Sequence, residues 1–201
     1  VIPVPPPLQR LADEIDGWLD LRCPERALER LQPLLDDPAG RPAALTMRIR
    51  AQVRQGHLRA ALPDLAELRQ GGHLPDWVDL TEAWCKKRLA DLDGAIACAE
   101  ALVQRNPQSD IGHFNLGCYL ALAGERERAI DEVTIACGLS DAFRDYVRDE
   151  PDLDSLRTDP RFRELLRQQA PGTKGPLAPS GGADDDEDFD DDDEDPKPGL
   201  N

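Results

Sequence analysis

The sequence predicts an all-α solenoid of about four antiparallel helix hairpins, and three observations carry that prediction. Alanine recurs at Ala27, Ala61, Ala95 and Ala129, at one fixed interval of about 34 residues. The surrounding segments PERALERL, LRAALPDL, LDGAIACA and RERAIDEV align, each with an apolar residue after the alanine. Aromatics make up only 4% of the chain and Ala, Leu, Arg, Glu and Asp dominate, which favours helix over strand.

A 34-residue unit holds two helices of roughly 12–15 residues, too short to stand alone in water, so each must bury an apolar stripe against its neighbours. The pattern places helix pairs at 8–20 with 24–36, 42–55 with 58–70, 76–89 with 92–105, and 110–122 with 126–138. Gly56, Ala90 and Gly124 share one phase, where a small residue suits the tight turn inside a hairpin. Pro38-Ala39-Gly40, Gly71-Gly72 and Asn106-Pro107 break the chain between hairpins. Residues 1–7 form a Pro-rich extension and 8–140 the four hairpins. Residues 141–170 leave the repeat pattern and are expected to cap it. There Asp152 and Thr158 or Asp159 are candidate N-caps, Pro160 fits a first turn, and Phe162, Leu165 and Leu166 form an apolar stripe. Residues 171–201, rich in Pro, Gly, Ser and Asp, carry too little apolar surface to offset the entropy of ordering and are expected to be a disordered acidic tail.

The formal charge is −16, but the run DDDEDFDDDDED at 184–195 holds eleven carboxylates, and the rest of the chain sums to −5. A nucleic-acid binder needs a basic face, so that class is disfavoured. No apolar stretch approaches the roughly 18–20 residues of a membrane helix. Five widely spaced cysteines, Cys23, Cys85, Cys98, Cys118 and Cys137, form no zinc-type pattern and read as small buried hydrophobes in a reducing, cytoplasmic setting. The Arg-rich, Lys-poor composition points to a bacterial source. The chain opens at Val1 without Met, so a structural end-piece of a larger repeat protein stays open as a reading.

The fourth unit, with Leu116-Gly117, Leu120, Gly124, Ala129, Val133 and Ala136, resembles a tetratricopeptide repeat. The third departs from the family at Glu82-Ala83 and Lys86 but regains it at Ala95, Ala99 and Pro107. The first two are more degenerate, keeping Ala27, Leu31 and Leu34, then Gly56, Ala61, Leu65 and Leu68. The resemblance implies a right-handed superhelix whose first helices line a concave groove. It also implies a protein-binding role, as adaptor or assembly scaffold, or alternatively as chaperone for a secreted or assembling client. Carried over residue by residue, the groove positions give Arg50, Arg54, Trp77, Trp84, Lys87, Arg88, Phe114 and Asn115 as candidates for holding an apolar anchor and carboxylates. The dicarboxylate clamp of chaperone-tail binders is absent, because its places hold Ala12, Asp16, Met47, Trp77 and Thr81, or Thr46, Arg50, Thr81, Ile111 and Asn115.

Catalysis finds no foothold. His57, His73 and His113 have no paired spacing, and no phosphate-cradling, nucleophile-elbow or dinucleotide motif occurs. The acidic run lacks the EF-hand spacing and its glycine. No enzyme activity, cofactor or metal is therefore expected. The run does suit an intramolecular contact with the basic groove. Its linker, 171–183, spans about 20 Å as a flexible coil, and Phe189 would mimic an anchor.

Overall fold

The computed structural model describes residues 2–167, and every regular element among them is helical. The first hairpin pairs α1 (Gln9–Asp20) with α2 (Pro24–Arg30), continued by α3 (Gln32–Asp36). The other three pair α4 (Arg41–Arg54) with α5 (Leu58–Gln70), α6 (Pro75–Arg88) with α7 (Leu92–Arg105), and α8 (Asp110–Leu122) with α9 (Arg126–Leu139). The expected continuous helix over 24–36 is the one departure among the hairpins. Pro33 has no amide to reach the Glu29 carbonyl and its ring crowds that turn, so the helix breaks at Leu31.

Ala27, Ala61, Ala95 and Ala129 are all fully buried, so the periodic alanine faces the packed interior of its hairpin. Gly117 faces that interior from the other helix. A Cβ there would lie 2.5 Å from Val133 Cγ2 and 3.2 Å from the Ala129 carbonyl. The turns inside the hairpins share a left-handed residue at one phase, with φ of 56° at Arg22, 72° at Gly56, 61° at Ala90 and 82° at Gly124. Two of the four turns therefore carry a side chain where glycine costs least. Asp91 and Ser109 cap α7 and α8 by accepting from the amides of Gly94 and Gly112.

The apolar interior consists of two clusters that meet at α6. One gathers Ala12 to Val78, the other Ala83 to Phe162. Between them lie the polar residues that the repeat pattern left unexplained. Asp79, 3% exposed, accepts from Arg69 of α5 and from Arg105 of α7, the latter at 2.7 Å. Glu82 accepts from the same Arg69 and pairs with Lys86 at 2.7 Å. Where it departs from the repeat pattern, the third unit thus uses an ionic junction that ties three helices. Burial alone pushes the Glu82 carboxyl up, but the bonds from Lys86 and Arg69 outweigh it and hold it below its ordinary value.

Both ends are covered. Ile2 and Val4 of the Pro-rich extension, and Leu8 at the end of the 3-10 turn Pro6–Leu8, pack on the first cluster. At the other end follow α10 (Ala142–Asp149), a 3-10 helix (Pro151–Leu156) and α11 (Pro160–Arg167), with Val147, Leu153, Leu156 and Phe162 fully buried. Asp159 caps α11, accepting from Arg161 N at 2.8 Å. Asp152 is not an N-cap as expected, because Glu150 takes that role at 3.1 Å. The cap also keeps the repeat register that its sequence hides. Ser155 Oγ donates to the carbonyl of Ala121, 34 positions earlier. It is an abbreviated fifth hairpin, whose first helix is interrupted at Pro151. The expected tail, 171–201, lies outside the described residues, as does its proposed contact with the groove.

Candidate functional site

The first helices α1, α4, α6 and α8 carry the expected groove positions. Asp16, Arg50, Trp84 and Cys118 follow one another at the repeat spacing, and Asp152 of the cap continues the column. Neighbours in adjacent hairpins meet. Arg50 Nη1 donates to Asp16 Oδ1 at 2.9 Å and Nη2 reaches Asp20 at 3.5 Å. Arg54 donates to the carbonyl of Leu19. At the far end Lys87 Nζ lies 2.5 Å from Asp152 Oδ2. The basic candidates read from the sequence are therefore engaged within the chain. Arg50, Arg54 and Lys87 already serve groups of this chain and are not an open trap for carboxylates. Burial holds the Asp16 carboxyl above its ordinary range even with Arg50 beside it.

The aromatic candidates separate. Trp77 is half-buried against the first apolar cluster. Trp84 is half-buried but belongs to neither cluster, and the Arg88 guanidinium lies 4.5 Å from its ring centroid. Phe114, expected to line the groove, is instead a core residue. It is 7% exposed, with the Phe143 ring 4.9 Å and the Tyr146 ring 6.4 Å away. Asn115 beside it is half-buried. The sequence reading missed Phe143, Tyr146 and Asp152 at this site. Continuing the column from Cys118 by one more repeat to Asp152 was the signal that pointed there.

One group of potential metal donors occurs among the described residues. Cys118 Sγ and the carboxylates of Glu150 and Asp152 lie within 4.8 Å of one another. Lys87 already supplies a cation to Asp152. Burial, reinforced by the two carboxylates, pushes the Cys118 thiol well above its ordinary value, so the sulfur carries its proton at neutral pH. His113 is structural, its Nδ1 2.6 Å from Glu132 and its Nε2 3.2 Å from the carbonyl of Pro107. No helix among the described residues is long and apolar enough to cross a membrane.

No family model matches the chain, and no curated protein does. Solved structures do. MamA 41-end from Desulfovibrio magneticus RS-1 is similar with a TM-score of 0.63 at 16% identity, over 83% of this chain and 99% of that one. YrrB, described as a TPR protein with an unusual peptide-binding site, gives 0.63 at 14% identity over 79% and 82%. TTC0263, a thermophilic TPR protein in Thermus thermophilus, gives 0.53 at 20% identity over 81% and 91%. At such identities the likeness speaks to the backbone arrangement alone.

Proposed function

We propose that this chain, whose fold is that of tetratricopeptide-repeat proteins, is a protein–protein interaction module that holds a peptide or protein segment in its groove as an adaptor or assembly scaffold. The observation that carries the reading is Trp84. It sits at the middle of the groove column, half-buried and outside both apolar clusters. Tryptophan is among the residues that most often anchor a bound segment. Leu80 and Thr81 beside it are also half-exposed, and with Trp77 they make an apolar strip on α6. The strip, flanked by cations that are already paired, selects a ligand by its apolar anchor first and by its charge second. In this reading the chain binds and does not catalyse, with no nucleic-acid or membrane partner, and works in a bacterial cytoplasm.

The test is selection of a phage-displayed peptide library on the full-length protein, followed by counter-screening on Trp84→Ala. Peptides rich in apolar or aromatic residues that lose at least tenfold in affinity on the variant support the reading, one hot-spot side chain being worth about 2 kcal/mol or more. If the selected peptides bind both proteins equally, the Trp84 strip is not the binding surface.

A further inference from the structure

The groove's last quarter is filled by the chain itself. At the same repeat positions Thr46 and Arg50 of α4, and Leu80 and Trp84 of α6, are half-exposed, whereas Phe114 and Cys118 of α8 are buried. The difference comes from α10 and the turn after it. Phe143 and Tyr146 lay their rings against Phe114, Glu150 and Asp152 lie over Cys118, and Asp152 reaches to Lys87 of α6.

This cover is weakly held compared with the segment beyond it. Of the eight residues of α10 only Val147 is buried, and Tyr146 is 39% exposed. A helix of eight residues has no stability of its own in water. The next segment is firmly anchored, with Leu153, Leu156 and Phe162 fully buried in the second apolar cluster. Extended backbone on each side of α10, at Ser140 (φ −146°, ψ 126°) and Glu150 (φ −68°, ψ 115°), separates it from its neighbours.

We propose that residues 142–152, α10 and the turn after it through Asp152, form a detachable plug, held by Phe143 on Phe114, by Val147 in the second cluster, by Arg157 on the carbonyls of Arg148 and Glu150 and by the Lys87–Asp152 pair, whose release exposes Phe114 and Cys118 and lengthens the groove by one repeat. Its role in admitting ligand rests on the groove being the binding surface. Any ligand long enough to run from Trp84 to Phe114 must displace the plug, so α10 sets both the length of ligand admitted and the threshold for admitting it. The plug presents an aromatic ring and, a few residues on, a carboxylate. Its competitors are segments of that chemistry.

Cys118 reports the release directly. Its thiol lies under Glu150 and Asp152, while Cys85 is buried on α6 away from the plug and acts as the internal reference; Cys137 borders the plug too, since its carbonyl accepts from Arg144 of α10. The full-length protein is labelled with N-ethylmaleimide under native conditions and each cysteine is followed by peptide mass spectrometry. We expect Cys118 to react at least about tenfold faster than Cys85. Phe143→Ala is expected to accelerate Cys118 about another tenfold and leave Cys85 unchanged. Lys87→Met, on a half-exposed site of a well-packed helix, is expected to act in the same direction without threatening the fold. Labelling of Cys118 in step with Cys85 in the wild type overturns the proposal, because the cap then opens only with the whole molecule. The assay uses no peptide, so its failure is distinct from failure of the groove reading.

Discussion

Asp79→Ala tests whether the ionic junction on α6 couples the two apolar clusters. The carboxylate is 3% exposed and accepts two charge-assisted hydrogen bonds, from Arg69 and Arg105. Removing one partner of a buried pair costs about 3–5 kcal/mol when it strands a charge. Neither guanidinium is stranded here. Arg69 keeps Glu82, Arg105 keeps Asp76 at 2.9 Å, and their side chains remain 43% and 39% exposed. The loss is then that of two charged hydrogen bonds partly recovered by water, about 2 kcal/mol. In a domain of this size that lowers Tm by about 4–8 °C. Because the carboxylate sits where the clusters meet, the variant is also expected to unfold less cooperatively. Urea titration followed by far-ultraviolet circular dichroism and by tryptophan fluorescence measures both effects, since coincident curves indicate one transition. Glu100→Ala, which breaks the solvent-exposed pair with Arg128, is the control and should leave the midpoint in place. If Asp79→Ala behaves like that control, with coincident curves, the junction is not what joins the halves.

Three further substitutions probe separate parts of the fold. Ala90→Gly relieves a left-handed side chain at φ 61° and should raise stability by about 1 kcal/mol, read as a higher urea midpoint at unchanged slope. Gly117→Ala drives a methyl into Val133 and the α9 backbone and should cost about 2 kcal/mol, with partial recovery in the double variant Gly117→Ala, Val133→Ala. Glu82→Gln tests pH linkage. The native carboxyl is held below its ordinary value of 4.5, so its contribution is present above that pH and disappears as the pH falls through the lower folded value. Wild type should therefore exceed the variant at pH 7 and converge with it toward pH 3 in thermal melts.

The hairpins were legible because their cause is local and periodic. A buried alanine once per repeat fixes where helices touch, and the turn phase at Gly56, Ala90 and Gly124 fixes where they reverse. Arg22 was not recognised as the fourth member of that phase, since a long cation gives no sign of a left-handed backbone. The third unit's Glu82 and Lys86 looked like decay of the pattern. Their meaning needed Arg69, on the previous hairpin, to be placed beside them. The cap was expected, but its repeat register escaped for a related reason. Pro151 interrupts its first helix and Arg163 stands at the alanine phase, so the register survives in space but not in residue type. The candidate site was legible only in part. Trp84 follows from its place in the column alone, but Phe114 and the groove cations depend on partners in neighbouring hairpins and the cap, and single-helix reading leaves those partners out.

Whether a partner lies in the groove beside Trp84 is decided most directly by site-specific photo-crosslinking. The crosslinking amino acid p-benzoylphenylalanine is placed at Thr81, half-exposed on α6, or at Ala97, exposed on α7, in the full-length chain expressed in its native host. A groove-bound partner gives a discrete crosslinked protein from position 81, lost when Trp84→Ala is added, and none from position 97. Crosslinking from position 97 with silence at 81 would contradict groove binding and move the binding surface to the second helices of the hairpins.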